Sequence, residues 1–132
     1  MTDSRPDLRP VIWGAISGLL AVAVGAFAAH ALEARLDPDR QATFQTAADY
    51  QLIHALALIA AAWVGTVGRP VQAAAAARAF LLGTILFCGS LYALALTGIG
   101  WLGAITPFGG VLFLAGWFML AMACRRPAGA PR

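Results

Sequence analysis

Charged residues divide this chain into long apolar runs. Residues 10–32 carry no charge, nor do residues 50–68, and the stretch 79–124 is charge-free throughout. A helix needs about 20 apolar residues to cross the hydrocarbon of a bilayer. The first two runs each fit one crossing. The third is long enough for two, joined by a hairpin. Gly98, Gly100 and Gly103 gather around Trp101 at the expected turn, and Thr106-Pro107 reads as an N-cap followed by proline in the first helical turn. The predicted spans are 11–31, 49–68, 79–98 and 104–124, which make one all-α, integral membrane four-helix bundle over residues 11–124. Asp37-Pro38 marks a further helix start, so the polar segment 38–48 predicts a helical lead-in at the membrane surface. Residues 1–10 and 125–132 are expected to be disordered tails.

Composition strengthens the membrane reading. The chain of 132 residues is 61% hydrophobic and 11% charged. A soluble domain carries about 25% charged residues, so this chain lacks the polar surface to cover itself in water. The net charge is +3 and all nine basic residues are arginine, but they form no basic stripe interleaved with aromatics. Nucleic acid is therefore not an expected partner. Cys88 and Cys124 form no CxxC pair and are expected to be inert thiols at different depths.

The arginines orient the bundle. Arg5 and Arg9 precede the first span, Arg69 and Arg78 lie between the second and third, and Arg125, Arg126 and Arg132 follow the fourth. With four crossings all seven fall on one side, and only Arg35 and Arg40 fall on the other. The positive-inside rule then places both termini in the cytoplasm, with Trp13 and Trp101 near opposite interfaces. Ala26-Phe27-Ala28 resembles a signal-peptide cleavage site, but the apolar run before it is long for a cleaved leader.

Small residues mark helix-contact faces. Gly14, Gly18, Ala21, Gly25 and Ala28 alternate spacings of four and three along one stripe of the first span. Gly83, Ser90 and Thr97 recur every seven residues in the third, and Gly109, Gly110 and Gly116 lie in the fourth. In lipid, small residues let helix backbones approach closely, and dispersion supplies the attraction. The expected partners are membrane lipids and either another membrane protein or a second copy of this chain.

The spans hold little reactive chemistry. No acidic residue lies inside a span core and Asp49 stands at an edge, which argues against a proton-coupled small exporter. No HExxH, P-loop, GxSxG or dinucleotide fingerprint occurs. What remains is a polar set assigned to the outer half of the membrane: His30, Tyr50, Gln51, His54, Ser90, Tyr92 and Thr106. The inner half offers only Ser17, Thr66 and Thr84. Two histidines without further ligands make a thin metal site, and hydrogen bonding to helix carbonyls is the stronger reading. No cofactor and no catalytic residue are expected.

These same residues carry a resemblance. Gly25-Ala26-Phe27-Ala28-Ala29-His30, Tyr50-Gln51 with His54, Phe87-Cys88-Gly89-Ser90-Leu91-Tyr92 with Leu94-Ala95-Leu96, Thr106-Pro107-Phe108-Gly109-Gly110 and Gly116-Trp117 recur along nearly the whole chain between its tails. Together they resemble the YgdD-like family of small membrane proteins, domain of unknown function 423. The family often has glycine where this chain has Ala28, a small-for-small change. The resemblance implies a four-span inner-membrane protein and imports no reaction. It also implies that the seven polar residues belong to one shared feature. The leading expectation is a non-enzymatic accessory or lipid- or small-molecule-binding bundle. The alternatives are a redox, metal or haem protein using His30 and His54, and a small transporter.

Overall fold

The computed structural model describes residues 7–32 and 34–125. Among these residues four long helices make up the fold, and each is apolar and long enough to cross a membrane. Helix α1 spans Arg9–Leu32 and α2 spans Pro38–Val67. Helix α3 spans Pro70–Thr97. A 3₁₀ turn over Gly100–Ala104 leads into α4, Thr106–Ala123. Of the tails expected at 1–10 and 125–132, residues 1–6 and 126–132 lie outside the described residues, whereas Arg9 and Pro10 already belong to α1.

The helix starts follow local chemistry more than charge. Asp37 caps α2 by accepting the Arg40 N–H at 3.0 Å, with Pro38 in the first turn, so the polar lead-in and the second span form one continuous helix. Helix α1 begins at Arg9 with Pro10 behind it, two residues before the predicted span. Helix α3 begins at Pro70, nine residues before its predicted span. Charge-free length locates the membrane-crossing part of a helix, whereas proline at the first turn and the alanines at 73–77 decide where helix begins. The predicted Thr106 cap does not form. Thr106 lies inside the helix, and its hydroxyl bonds across to Ser90 at 2.8 Å.

Among the described residues two π-helical turns interrupt the α-geometry, Ala28–Leu32 at the end of α1 and Thr84–Cys88 within α3. The second lies between Gly83 and Ser90, so the seven-residue pattern does not run through a regular helix. Gly83 and Ser90 are buried while Thr97 is exposed. The α3–α4 hairpin turns at Gly98, whose φ of +73° suits a residue without a side chain. The α2–α3 corner takes only Gly68 and Arg69, and the Arg69 N–H donates to the last-turn carbonyl of Ala123 at 2.9 Å.

Packing is unequal among the helices. Helix α1 packs mainly on α2, while α2, α3 and α4 pack closely together. Three phenylalanines join α3 to α4 by seating on glycines of the opposite helix. A methyl on Gly116 would stand 2.6 Å from the Phe80 ring, and one on Gly83 the same distance from the Phe113 ring. One on Gly109 would strike the backbone of Phe87. On the other side, a methyl on Gly14 would meet the Ala55 carbonyl at 2.8 Å. Gly18, Gly25 and Gly110 have room, with nearest atoms at 3.7, 3.9 and 3.8 Å. The small-residue stripe of α1 thus meets a helix of its own chain. A second apolar cluster, Ala28, Leu32, Phe44 and Ala95, closes the end remote from the α2–α3 corner. Among the described residues both cysteines are free, Cys88 buried and Cys124 exposed.

Candidate functional site

Gln51 occupies a buried position on α2 between α1 and α3. Its Nε2 donates to the Ser17 carbonyl at 3.1 Å, and its Oε1 accepts from the Tyr92 hydroxyl at 2.8 Å. A carbonyl can only accept, so the Ser17 contact fixes which end of the amide points at α1. One side chain therefore links three helices. The same contact corrects a depth assignment. Ser17, expected in the inner half, meets Gln51, expected in the outer half, so this polar layer lies near the middle of the bundle.

One turn along α2, His54 is enclosed by rings and 3% exposed. Phe113 stacks on its imidazole with centroids 3.4 Å apart and planes 10° from parallel. Phe80 and Trp117 close further sides at 5.7 and 6.1 Å. Nδ1 stands 2.7 Å from the Tyr50 carbonyl, which must accept, so Nδ1 carries the proton. Nε2 accepts the indole N–H of Trp117 at 3.2 Å and so carries none. Those two partners define a neutral imidazole with both nitrogens engaged. A metal would have to displace one of them.

The remaining members form a third group. Ser90 on α3 donates to the Phe87 carbonyl at 3.0 Å and pairs with Thr106 of α4 at 2.8 Å. The Ser90 contact reaches a carbonyl within the π turn Thr84–Cys88, where the regular helix pattern is interrupted. Tyr50 contributes its carbonyl to His54 and its ring to a stack on Phe87 at 4.7 Å, and it is exposed on its outer side.

His30 is not part of this arrangement. Ala28 and Leu32 are buried four residues apart, and His30, midway between them, stands on the opposite, exposed face. Gly25 of α1 faces Ala48 of α2, and counting outward to His30 and inward to His54 separates the imidazoles by roughly 15 Å along the bundle. A shared metal or haem site at His30 and His54 is therefore not formed. Among the described residues no three histidine, cysteine or carboxylate side chains gather.

Three participants lay outside the predicted polar set. Trp117 satisfies His54, Ser17 anchors Gln51 through its backbone, and Arg40 closes the C-terminal end of α3. The Arg40 Nε donates to the Ala95 carbonyl at 2.6 Å, and its guanidinium lies over Gly98. A cation at a helix C-terminus satisfies carbonyls that lack intrahelical partners. The available signal was Arg40 itself, a charge one turn past the Asp37 cap of a predicted helix.

Tyr92→Phe tests this geometry directly. It removes one hydroxyl and leaves the ring, which packs on Phe44 at 4.9 Å. Interhelical hydrogen bonds in lipid contribute about 0.6 kcal/mol on average and up to about 1.7. Gln51 has one remaining partner in the variant, so the expected loss is about 1 kcal/mol in reversible unfolding from mixed micelles. An unchanged unfolding midpoint would show that the bond contributes nothing.

The family profile described as "Protein of unknown function (DUF423)" matches residues 24–110. The chain is 44% identical to a UPF0382 membrane protein of Staphylococcus haemolyticus over 86% of this chain and 92% of that one. It is 40% identical to the UPF0382 membrane protein YwdK of Bacillus subtilis, over 86% of this chain and 93% of that one. Against the UPF0382 inner membrane protein YgdD of Escherichia coli it is 38% identical over 88% of each chain. No solved structure matches significantly.

Proposed function

The chain belongs to the DUF423 family of multi-pass membrane proteins of unknown function, and from that premise we propose that it is a non-enzymatic accessory protein of the bacterial inner membrane with both termini in the cytoplasm. One observation carries the reading. The buried polar side chains Gln51, His54 and Ser90 bond to groups on neighbouring helices or to backbone carbonyls. A catalytic or transport site needs polar groups turned toward a substrate path. Here each is turned onto a partner within the bundle, Gln51 onto Tyr92 and the Ser17 carbonyl, His54 onto Trp117 and Ser90 onto Thr106, as interhelical clamps. Among the described residues the Ser17 hydroxyl alone is buried without a partner. The seven arginines on one side of the bundle support the orientation, and the name of the Escherichia coli relative supports the compartment.

Purification of the tagged full chain from its native host in mild detergent tests this. The expected sample has co-purifying lipid or a stoichiometric membrane partner, no haem absorbance and no stoichiometric metal. Haem or metal at one equivalent would overturn the reading, as would substrate flux through reconstituted liposomes. Reporter fusions after residue 132 and within 69–78 are expected to give cytoplasmic signals. A periplasmic signal from either reverses the orientation.

A further inference from the structure

Helix α1 leans on α2 and leaves a gap toward α3. At the arginine-rich end of the bundle this gap becomes a crevice of about 220 Å³. Arg9 and Trp13 of α1 form one wall, Arg78 and Leu81 of α3 form the other, and Leu58 of α2 is the floor. Asp7 stands at the mouth, its carboxylate 4.0 Å from the Arg9 Nε.

We propose that this crevice binds the headgroup of an anionic phospholipid from the cytoplasmic leaflet, with the phosphate held between Arg9 and Arg78 and the start of one acyl chain lying along Trp13 and Leu81. Depth is the first argument. Arg9 is the last charge before the uncharged run 10–32, and Arg78 is the last before 79–124. Two helices thus bring their final charges to one crevice, at the level where hydrocarbon gives way to headgroups. The second argument is chemical. Guanidinium groups match phosphate oxygens in pairs, indole favours the membrane interface, and the floor is apolar. A ligand fitting all three has an anionic end and a hydrocarbon body. Two guanidiniums against one carboxylate leave a positive excess, which favours a net-negative lipid over a zwitterionic one. Basic crevices between membrane helices on the cytoplasmic side are suited to such headgroups.

The leaflet assignment rests on the orientation proposed above, whereas the crevice does not. Native mass spectrometry of the full chain in mild detergent, titrated with phosphatidylglycerol, phosphatidylethanolamine or phosphatidylcholine, reads binding. Preferential retention of phosphatidylglycerol is expected. Arg9→Gln and Arg78→Gln are each expected to weaken it about fivefold, the equivalent of ~1 kcal/mol per arginine near an anionic surface. Arg69→Gln, on the same side but outside the crevice, is expected to leave it within twofold. Equal losses in all three variants would mean diffuse attraction and overturn the site, as would equal retention of the three lipids. Displacement of bound lipid by millimolar inorganic phosphate would overturn it in favour of a soluble-anion site. Both arginines are exposed, and an unchanged melting temperature checks that each variant folds. A periplasmic reporter signal reverses the leaflet alone, and unchanged binding in both crevice variants removes the site alone.

Discussion

Gly109→Ala is expected to destabilise the bundle by about 1–3 kcal/mol, the usual range for an extra methyl forced into a packed core. Its neighbour Gly110→Ala is expected to change stability by less than about 0.5 kcal/mol, as at positions free of such conflicts. The difference lies in what each methyl would meet. At Gly109 the new carbon collides with the backbone of Phe87 and stands 2.7 Å from its Cβ. Backbone cannot rotate aside, so α4 must move away from α3. That shift would also lengthen the Ser90–Thr106 hydrogen bond. At Gly110 the nearest atoms are ring carbons of Phe87 at 3.8 Å, an ordinary contact. Both substitutions raise helix propensity equally, so intrinsic preference cancels between them. Reversible unfolding in mixed micelles measures each. Equal effects at the two positions would show that the helices do not approach at Gly109.

Phe80→Ala is expected to cost about 2–4 kcal/mol. A buried Phe→Ala change in a water-soluble core costs about 3–5 kcal/mol, part of it transfer from water and part the void left behind. In a bilayer the unfolded reference is already apolar, so the transfer part shrinks and the lost dispersion contacts remain. Phe80 is fully buried and touches the layer from two sides, with Trp117 edge-on at 5.1 Å and His54 at 5.7 Å. Gly116→Ala would put a methyl 2.6 Å from the same ring, so the two sites are coupled. Gly116→Ala is expected to cost at least about 1 kcal/mol less in a Phe80→Ala background than alone, within the usual range for residues in contact. Strict additivity in that double-mutant cycle would show that the ring is not seated on the glycine.

The paired variants also separate structural from chemical roles for the polar layer. A clamp residue changes stability when altered and nothing else. Tyr92, Gln51 and His54 lie at the junction of the helices, so their substitution is expected to follow the unfolding readout together with Phe80. The crevice arginines are expected to leave that readout alone and change lipid retention. Two different surfaces of one small bundle thus answer to two different measurements.

The span count, the hairpin at Gly98 and the start of α2 at Asp37 were legible in the sequence. Each follows from a local quantity: the length of a charge-free run, a glycine able to adopt positive φ, a carboxylate ahead of a proline. The exposure of His30 was legible too, because it sits two residues from Ala28, off the stripe defined by Gly14, Gly18, Ala21 and Gly25. Placing it with His54 followed from presumed depth and from the family resemblance, and helix phase outweighs both.

Other features were not local. The sequence named Gln51, Tyr92, Ser90 and Thr106 as candidates, but their partners stand 16 to 41 residues away. Which hydroxyl meets which amide depends on how far each helix slides and rotates against its neighbours. The π turn at Thr84–Cys88 changes that rotation, and no residue type announces it. Depth was misjudged for the same reason. Ser17 and Gln51 were assigned to opposite halves because span boundaries were counted from charges, whereas helix ends were set by Asp37, Pro70 and Pro10.

What the sequence by itself determined is the solvent of this protein and the number of its crossings, since both depend on the order of apolar and charged residues along one helix. What only the tertiary structure decided is the use of the polar and basic groups. Relative phase and offset of neighbouring helices set Gln51 against Tyr92 and the Ser17 carbonyl, His54 against Trp117 and Ser90 against Thr106, and the lean of α1 on α2 brings Arg9 and Arg78 to one crevice. Those are properties of helix pairs, and a single chain read in order holds them only implicitly.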